Sequence, residues 1–171
     1  FHTFVKAGSI DDPSGQTGLA RMMEGMAFKG TETIGTLSWP AEKKALDAIE
    51  EAYDRAQAEA DKGIKADQTR LDMLRNQARL AADTAQRSNQ PGEYARILEE
   101  NGASNPRASA SCDHTSFSWS LPSNRIELWF LMESQRLLHP VFREFYKERD
   151  ALLEDYRRQM ESNPRNKLLG D

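Results

Sequence analysis

The rhythm of apolar and polar positions changes several times along the chain, and each change marks an element. Residues 1–8, "FHTFVKAG", are β-type and end at a glycine, which predicts a strand. "SIDDPSGQTG" (9–18) is dense in turn formers and reads as a loop. Over 18–30, Leu19, Met22, Met23 and Met26 recur on one helical face. From Trp39 the texture shifts. Pro40 and Glu42 suit a helix's first turn, and Leu46, Ile49, Tyr53 and Ala56 then recur at helical spacing. Gly63 interrupts, and Ile64, Leu71, Leu74, Ala78 and Ala81 carry a second helix to about Arg87. Both segments are rich in alanine and charged residues, which predicts an antiparallel helical hairpin across 40–92. Its apolar stripe is narrow and built from small side chains, so it is expected to protrude or dock loosely.

"EYARILEENGAS" (93–104) predicts a short helix closed by Asn101-Gly102. "RASASCDHTSFSWSLP" (107–122) alternates, with Phe117, Trp119 and Leu121 on one face and Cys112, His114 and Ser116 on the other, as in a single strand. "SNRIELWFLMESQRLLH" (123–139) reads as a helix stopped by Pro140, its Trp129, Phe130, Leu131 and Met132 cluster expected in the core. Residues 141–162 form another, with Phe142, Phe145, Tyr146, Leu152 and Leu153 inward. The order β, α, hairpin, α, β, α, α predicts an α+β fold, helices packed on one face of an antiparallel sheet.

The 171 residues suffice for one domain. A charged fraction of 29% and net charge of −4, with no basic run, argue against a nucleic-acid partner. Apolar runs are too short for a membrane span. Cys112 is the only cysteine and cannot form an internal disulfide. The chain opens as though in mid-strand, like a piece of a longer protein.

The chemistry concentrates in "TGLARMMEGMAFKGT" (17–31). Residues 21–25, R-M-M-E-G, occupy the frame of the inverted zinc-peptidase signature H-x-x-E-H. In that signature two imidazoles one turn apart grip Zn²⁺, and the glutamate takes a proton from the metal-bound water. Together with "AGSIDDPSGQTGLA", "MAFKGT", "ILEENGAS", "LPSNRIELWFLMESQRL" and "PVFREFYKERDALLED", this frame resembles the N-terminal domain of pitrilysin-type metallopeptidases. That family includes insulin-degrading enzyme and the mitochondrial processing peptidase. The bacterial members with a helical insertion after the motif helix are the most similar in organisation. The resemblance covers nearly all of 1–171. It implies a single, truncated N-terminal domain with 40–92 as the insertion.

Carried over by position, the family's two histidines fall on Arg21 and Gly25, and its general base falls on Glu24, which is retained. The later E-x6-E pattern reads "ERDALLED" here. Glu148 takes the supporting carboxylate's place and Asp155 the third ligand's, shorter than glutamate by roughly 1.5 Å of reach. Glycine offers no donor and arginine keeps its proton, so two of three protein ligands are gone. Without a metal, water keeps its bulk acidity, and Glu24 alone cannot replace what is lost. Arg21 is expected to fill the zinc's place, neutralising Glu24, Glu148 and Asp155.

The resemblance also implies that 107–110 (Arg107, Ala108, Ser109, Ala110) form the edge strand that captures extended peptides by adding them to the sheet. The usual N-A-Y-T-S reads R-A-S-A-S here, which puts side-chain contacts in doubt but leaves main-chain bonding intact. The reading is a catalytically inactive homologue of a zinc metalloendopeptidase, with no cofactor expected. It would serve as a structural or peptide-holding partner of an active pitrilysin-type subunit, or of further domains of the same chain. Two alternatives stay open: an active zinc endopeptidase with a modified or partner-supplied site, and an interaction module acting through the hairpin. The resemblance favours an exported or periplasmic bacterial setting. A second metal site at Cys112, Asp113 and His114 would need His2 or His139, neither at ligand spacing, and ordinary surface residues are expected there. No base can be assigned to Cys112 as a nucleophile.

Overall fold

In the computed structural model, which describes residues 1–162, the elements run β1 (His2–Val5), α1 (Leu19–Met26), α2 (Trp39–Ala60), α3 (Gln68–Gln86), α4 (Glu93–Glu100), β2 (Ser104–Ala110), β3 (Thr115–Ser120), α5 (Ile126–Leu138) and α6 (Phe145–Ser162). The fold is α+β. One antiparallel sheet has the order β1-β3-β2, so β3 is central and β2 lies at an edge.

The alternation of β3 decides where the core sits. Thr115, Phe117 and Trp119 are buried, and they share their face with the cross-strand partners Thr3, Ala108 and Ala110. Ile34, Tyr94, Leu98, Trp119 and Met132 form the centre, joining the sheet to α4 and α5, and Phe28 meets Tyr94, Phe117 and Trp119 edge-on.

Single-strand alternation over 107–122 does not hold. The chain reverses at 111–114 and gives two strands, with Ser111 N–H bonded to the His114 carbonyl at 2.8 Å. Ser, Asp and His at the reversal satisfy one another's polar groups, a local turn that outcompetes strand continuation. Cys112 is therefore an exposed turn residue.

The Trp129–Met132 cluster is also not wholly in the core. Met132 is buried, but Phe130 and Leu131 are 60% and 55% exposed. The inward face of α5 is spent instead on Glu133 and Arg136, a buried ion pair whose guanidinium carbon lies 4.0 Å from the Phe117 ring centroid. Thr3 Oγ1 and Tyr94 Oη also donate to Glu133. Phe142, in the segment before α6, and Leu153, on α6, are exposed rather than inward; the buried residues of that preceding segment are Val141 and Arg143.

The hairpin forms, but its base is not loosely attached. Ala45, Ala52, Ala78 and Ala85 let α2 and α3 approach closely. Arg143 donates from Nε to Glu42 Oε1 at 2.6 Å and from Nη2 to Oε2 at 3.0 Å, and it also donates to the carbonyls of Lys29, Thr31 and Ile34. This two-pronged pair ties the first turn of α2 to the chain before α6. Gly30 makes room for it: φ there is +99°, and a Cβ would lie 2.7 Å from the guanidinium. Farther out, the Tyr53 and Tyr146 rings stack with centroids 3.4 Å apart. At the tip, Ile64 stands wholly in solvent.

Candidate functional site

Helix α1 starts where Asp12, reaching from the preceding loop, accepts from Gly18 N–H at 2.8 Å and Ala20 N–H at 2.9 Å. These bonds satisfy donors that the helix itself leaves open. Met22 and Met26 anchor the buried face, while Leu19 and Met23 are partly exposed. Glu24 then points along the sheet edge, its side chain 15% exposed. It accepts from Arg21 Nη1 at 3.3 Å and from the backbone N–H of Ala110 at 3.1 Å. Arg21 is two-thirds exposed and reaches the carboxylate from the solvent side. Nothing lies within 4 Å of where a Gly25 Cβ would stand.

The register of β2 fixes what its edge can offer. Ser111 N–H points toward β3, so by strand alternation those of Ser109 and Arg107 do too, and those of Ala110 and Ala108 point away. The Ala110–Glu24 bond agrees. Ala108 and Ala110 thus present main-chain groups at the open edge while their methyl groups face the helices. Arg107 and Ser109 project from the outer face and are exposed. Pro106 has no N–H, and the irregularity between Ser104 and Arg107 bends the strand, so regular pairing is confined to 107–110.

Glu148 does not join Arg21. Lys29, just beyond α1, donates from Nζ to Glu148 Oε1 at 2.5 Å and to Glu144 Oε2 at 3.1 Å. Burial alone would lower the Lys29 pKa, but these two carboxylates outweigh it and the net shift is upward. The expected cluster is therefore divided: Arg21 serves Glu24, and Lys29 serves Glu148. Asp155 lies on an exposed stretch of α6. Lys29 stands five residues after Glu24 and carried no spacing signal of a site residue. Its role depends on α6 packing beside α1.

The residues in the motif frame do not fit zinc. Gly25 offers no donor, Arg21 offers a cation, and Glu148 is held by an ammonium. Among the described residues no three His, Cys, Asp or Glu side chains gather as a metal site. What the arrangement can do is hydrogen-bond an extended backbone.

The turn at 111–114 has no relay geometry. Asp113 Oδ1 and Ser111 Oγ approach the same ring nitrogen of His114, Nδ1, at 2.7 and 2.9 Å, so the ring does not lie between them. The His114 hydrogen bond, and then that of Ser111, lower the Asp113 pKa. His114 stacks on Phe4 with centroids 4.7 Å apart.

No protein-family model matches the chain, and no curated protein matches it. Among solved structures, it is similar to one described as a protease from Helicobacter pylori, at 16% identity and a TM-score of 0.58. The match covers 95% of this chain and 26% of that one, so the chain spans about a quarter of that protein's length. The likeness is one of fold.

Proposed function

We propose that this chain is a catalytically silent domain of pitrilysin type, which holds extended polypeptide at the β2 edge as part of a larger peptidase assembly. The observation that carries the reading is the position of Glu24. The one retained catalytic side chain is committed to Arg21 and to the Ala110 N–H, with a bare glycine beside it. With a guanidinium and a glycine where the signature has its two imidazoles, zinc would lack the ligands to hold a water beside this carboxylate, and bulk water is too weak an acid for it. The likeness to a protease fold supports the peptidase ancestry. The open edge of β2 supports peptide holding, by main-chain bonds that do not depend on the altered side chains. An active subunit, or further domains of a longer chain, would supply the hydrolysis.

Restoring the donors tests this. The combined variant R21H/G25H/D155E should take up about one zinc per chain, since three protein ligands plus water make a catalytic zinc site. The open space at Gly25 admits the new side chain. The unaltered chain should take up none at this frame and leave a quenched peptide uncut with or without chelator. Stoichiometric zinc beside Glu24 in the unaltered chain, with chelator-sensitive cleavage, would make it a working protease instead.

A further inference from the structure

The geometry points to Glu24 as an intramolecular plug of the peptide-binding edge: its carboxylate takes the Ala110 N–H that an incoming strand's carbonyl would need. This rests on the peptide-holding reading above and adds how that site is controlled.

Three observations meet here. The Ala110 N–H faces outward by the register of β2, and Glu24 Oε2 accepts it at 3.1 Å. Pro106 contributes no N–H on the other side. With Glu24 in place, the edge therefore keeps one full pair of strand-pairing groups, the N–H and C=O of Ala108, together with the Ala110 carbonyl. A strand that added only there would be weakly held. For the peptide to extend its ladder to Ala110, Glu24 must swing away. Its side chain is partly buried at the rim of the β2 edge, within reach of solvent on the side of Arg21, which is exposed and can follow it.

A carboxylate is a stronger acceptor of an N–H than a peptide carbonyl. The plug therefore sets a threshold: short or poorly fitting segments do not displace it, and long β-prone segments do. Charge adds a preference. Arg107 stands exposed on the outer face of β2, opposite a bound strand's outward side chains, and it favours acidic ones there.

The probe is a capped, fluorescein-labelled decapeptide of alternating Val and Glu, titrated against the whole chain by fluorescence anisotropy. Glu24→Ala should bind it about tenfold more tightly than the unaltered chain, as expected for freeing one charge-assisted hydrogen bond. Glu24→Gln should fall between, because its amide oxygen still accepts but without charge. Hydrogen exchange reads the contact directly. The Ala110 amide should exchange slowly in the unaltered chain, fast in Glu24→Ala, and slowly again when that variant holds the peptide. In an Ala110→Pro background, where the N–H is gone and edge strands tolerate proline, Glu24→Ala should no longer change affinity. Equal affinity of Glu24→Ala and the unaltered chain overturns the plug and leaves peptide holding intact. Weaker binding makes Glu24 a peptide ligand and overturns it as well. No binding by either protein overturns both readings.

Discussion

Lys29 Nζ sits 2.5 Å from Glu148 Oε1, so the carboxylate placed by sequence in support of a zinc ligand is instead half of an ion pair with a lysine beyond the motif helix. Glu144 completes the group at 3.1 Å from the same nitrogen. The arrangement fastens the end of α1 to the start of α6.

Replacing Lys29 by Met leaves two carboxylates facing each other without their shared cation. Stability at pH 7 should fall by about 1–2 kcal/mol, a modest figure because all three side chains keep some solvent contact. The Lys147 hydrogen bond, and then that of Lys29, hold Glu144 below the usual carboxylate range against its burial. Its contribution is present above the unfolded value, near 4.3, and is lost as pH falls through the lower folded value. The difference between Lys29→Met and the unaltered chain, measured by urea unfolding, should therefore shrink below about pH 4.

Glu42 and Arg143 are both almost fully buried. Glu42→Gln leaves the guanidinium without its counter-charge in the interior and should cost about 3–5 kcal/mol. Thermal unfolding followed by circular dichroism measures this. A cost under about 1 kcal/mol would show that the three backbone carbonyls satisfy Arg143 unaided.

Trimming the hairpin separates its docked base from its free tip. Excising 57–72 behind a short glycine-containing loop removes Glu59 and Leu71 together and leaves Glu42 and Tyr53 in place. The rest of the domain should still unfold cooperatively, within a few degrees of the full chain, at roughly 1 kcal/mol or less. Excising 41–90 removes Glu42 and should abolish cooperative unfolding. If both deletions behave alike, the Glu42–Arg143 pair does not fasten the hairpin to the domain.

Burial raises the pKa of the Tyr94 phenol. Arg136 opposes this and Glu133 adds to it. An unfolded tyrosine loses its proton near pH 10, the folded one only above that. The stabilising share is thus complete below about pH 10 and is lost as pH rises through the folded value. Tyr94→Phe should lose about 0.5–1.5 kcal/mol at neutral pH with the hydrogen bond to Glu133, and it should show a shallower loss of stability between about pH 10 and 12.

Much of the architecture is written locally. The alanine-rich amphipathic stripes of α2 and α3, Asp67 capping α3, and the alternation of Thr115, Phe117 and Trp119 all lie within short windows, which is the range over which helical and strand periodicity acts. The reversal at 111–114 was hidden because the inward side chains of β2, Ala108 and Ala110, are too small to mark the change from even to odd inward positions across the turn, where Ser111, Asp113 and His114 hydrogen-bond one another. The apolar run in α5 misled for a related reason: a helix inside a polar network can bury a charged pair and leave Phe130 and Leu131 outside.

The sequence by itself determined which chemistry is absent from the motif frame, since an arginine and a glycine have no zinc-donor atoms in any conformation. Only the tertiary structure decided what the remaining carboxylates do instead. Glu24 meets an N–H 86 residues away, Lys29 meets Glu148 across 119 residues, and Arg143 meets Glu42 across 101. Donor capacity belongs to a residue type, whereas a partner is chosen by whichever groups packing brings within about 3 Å.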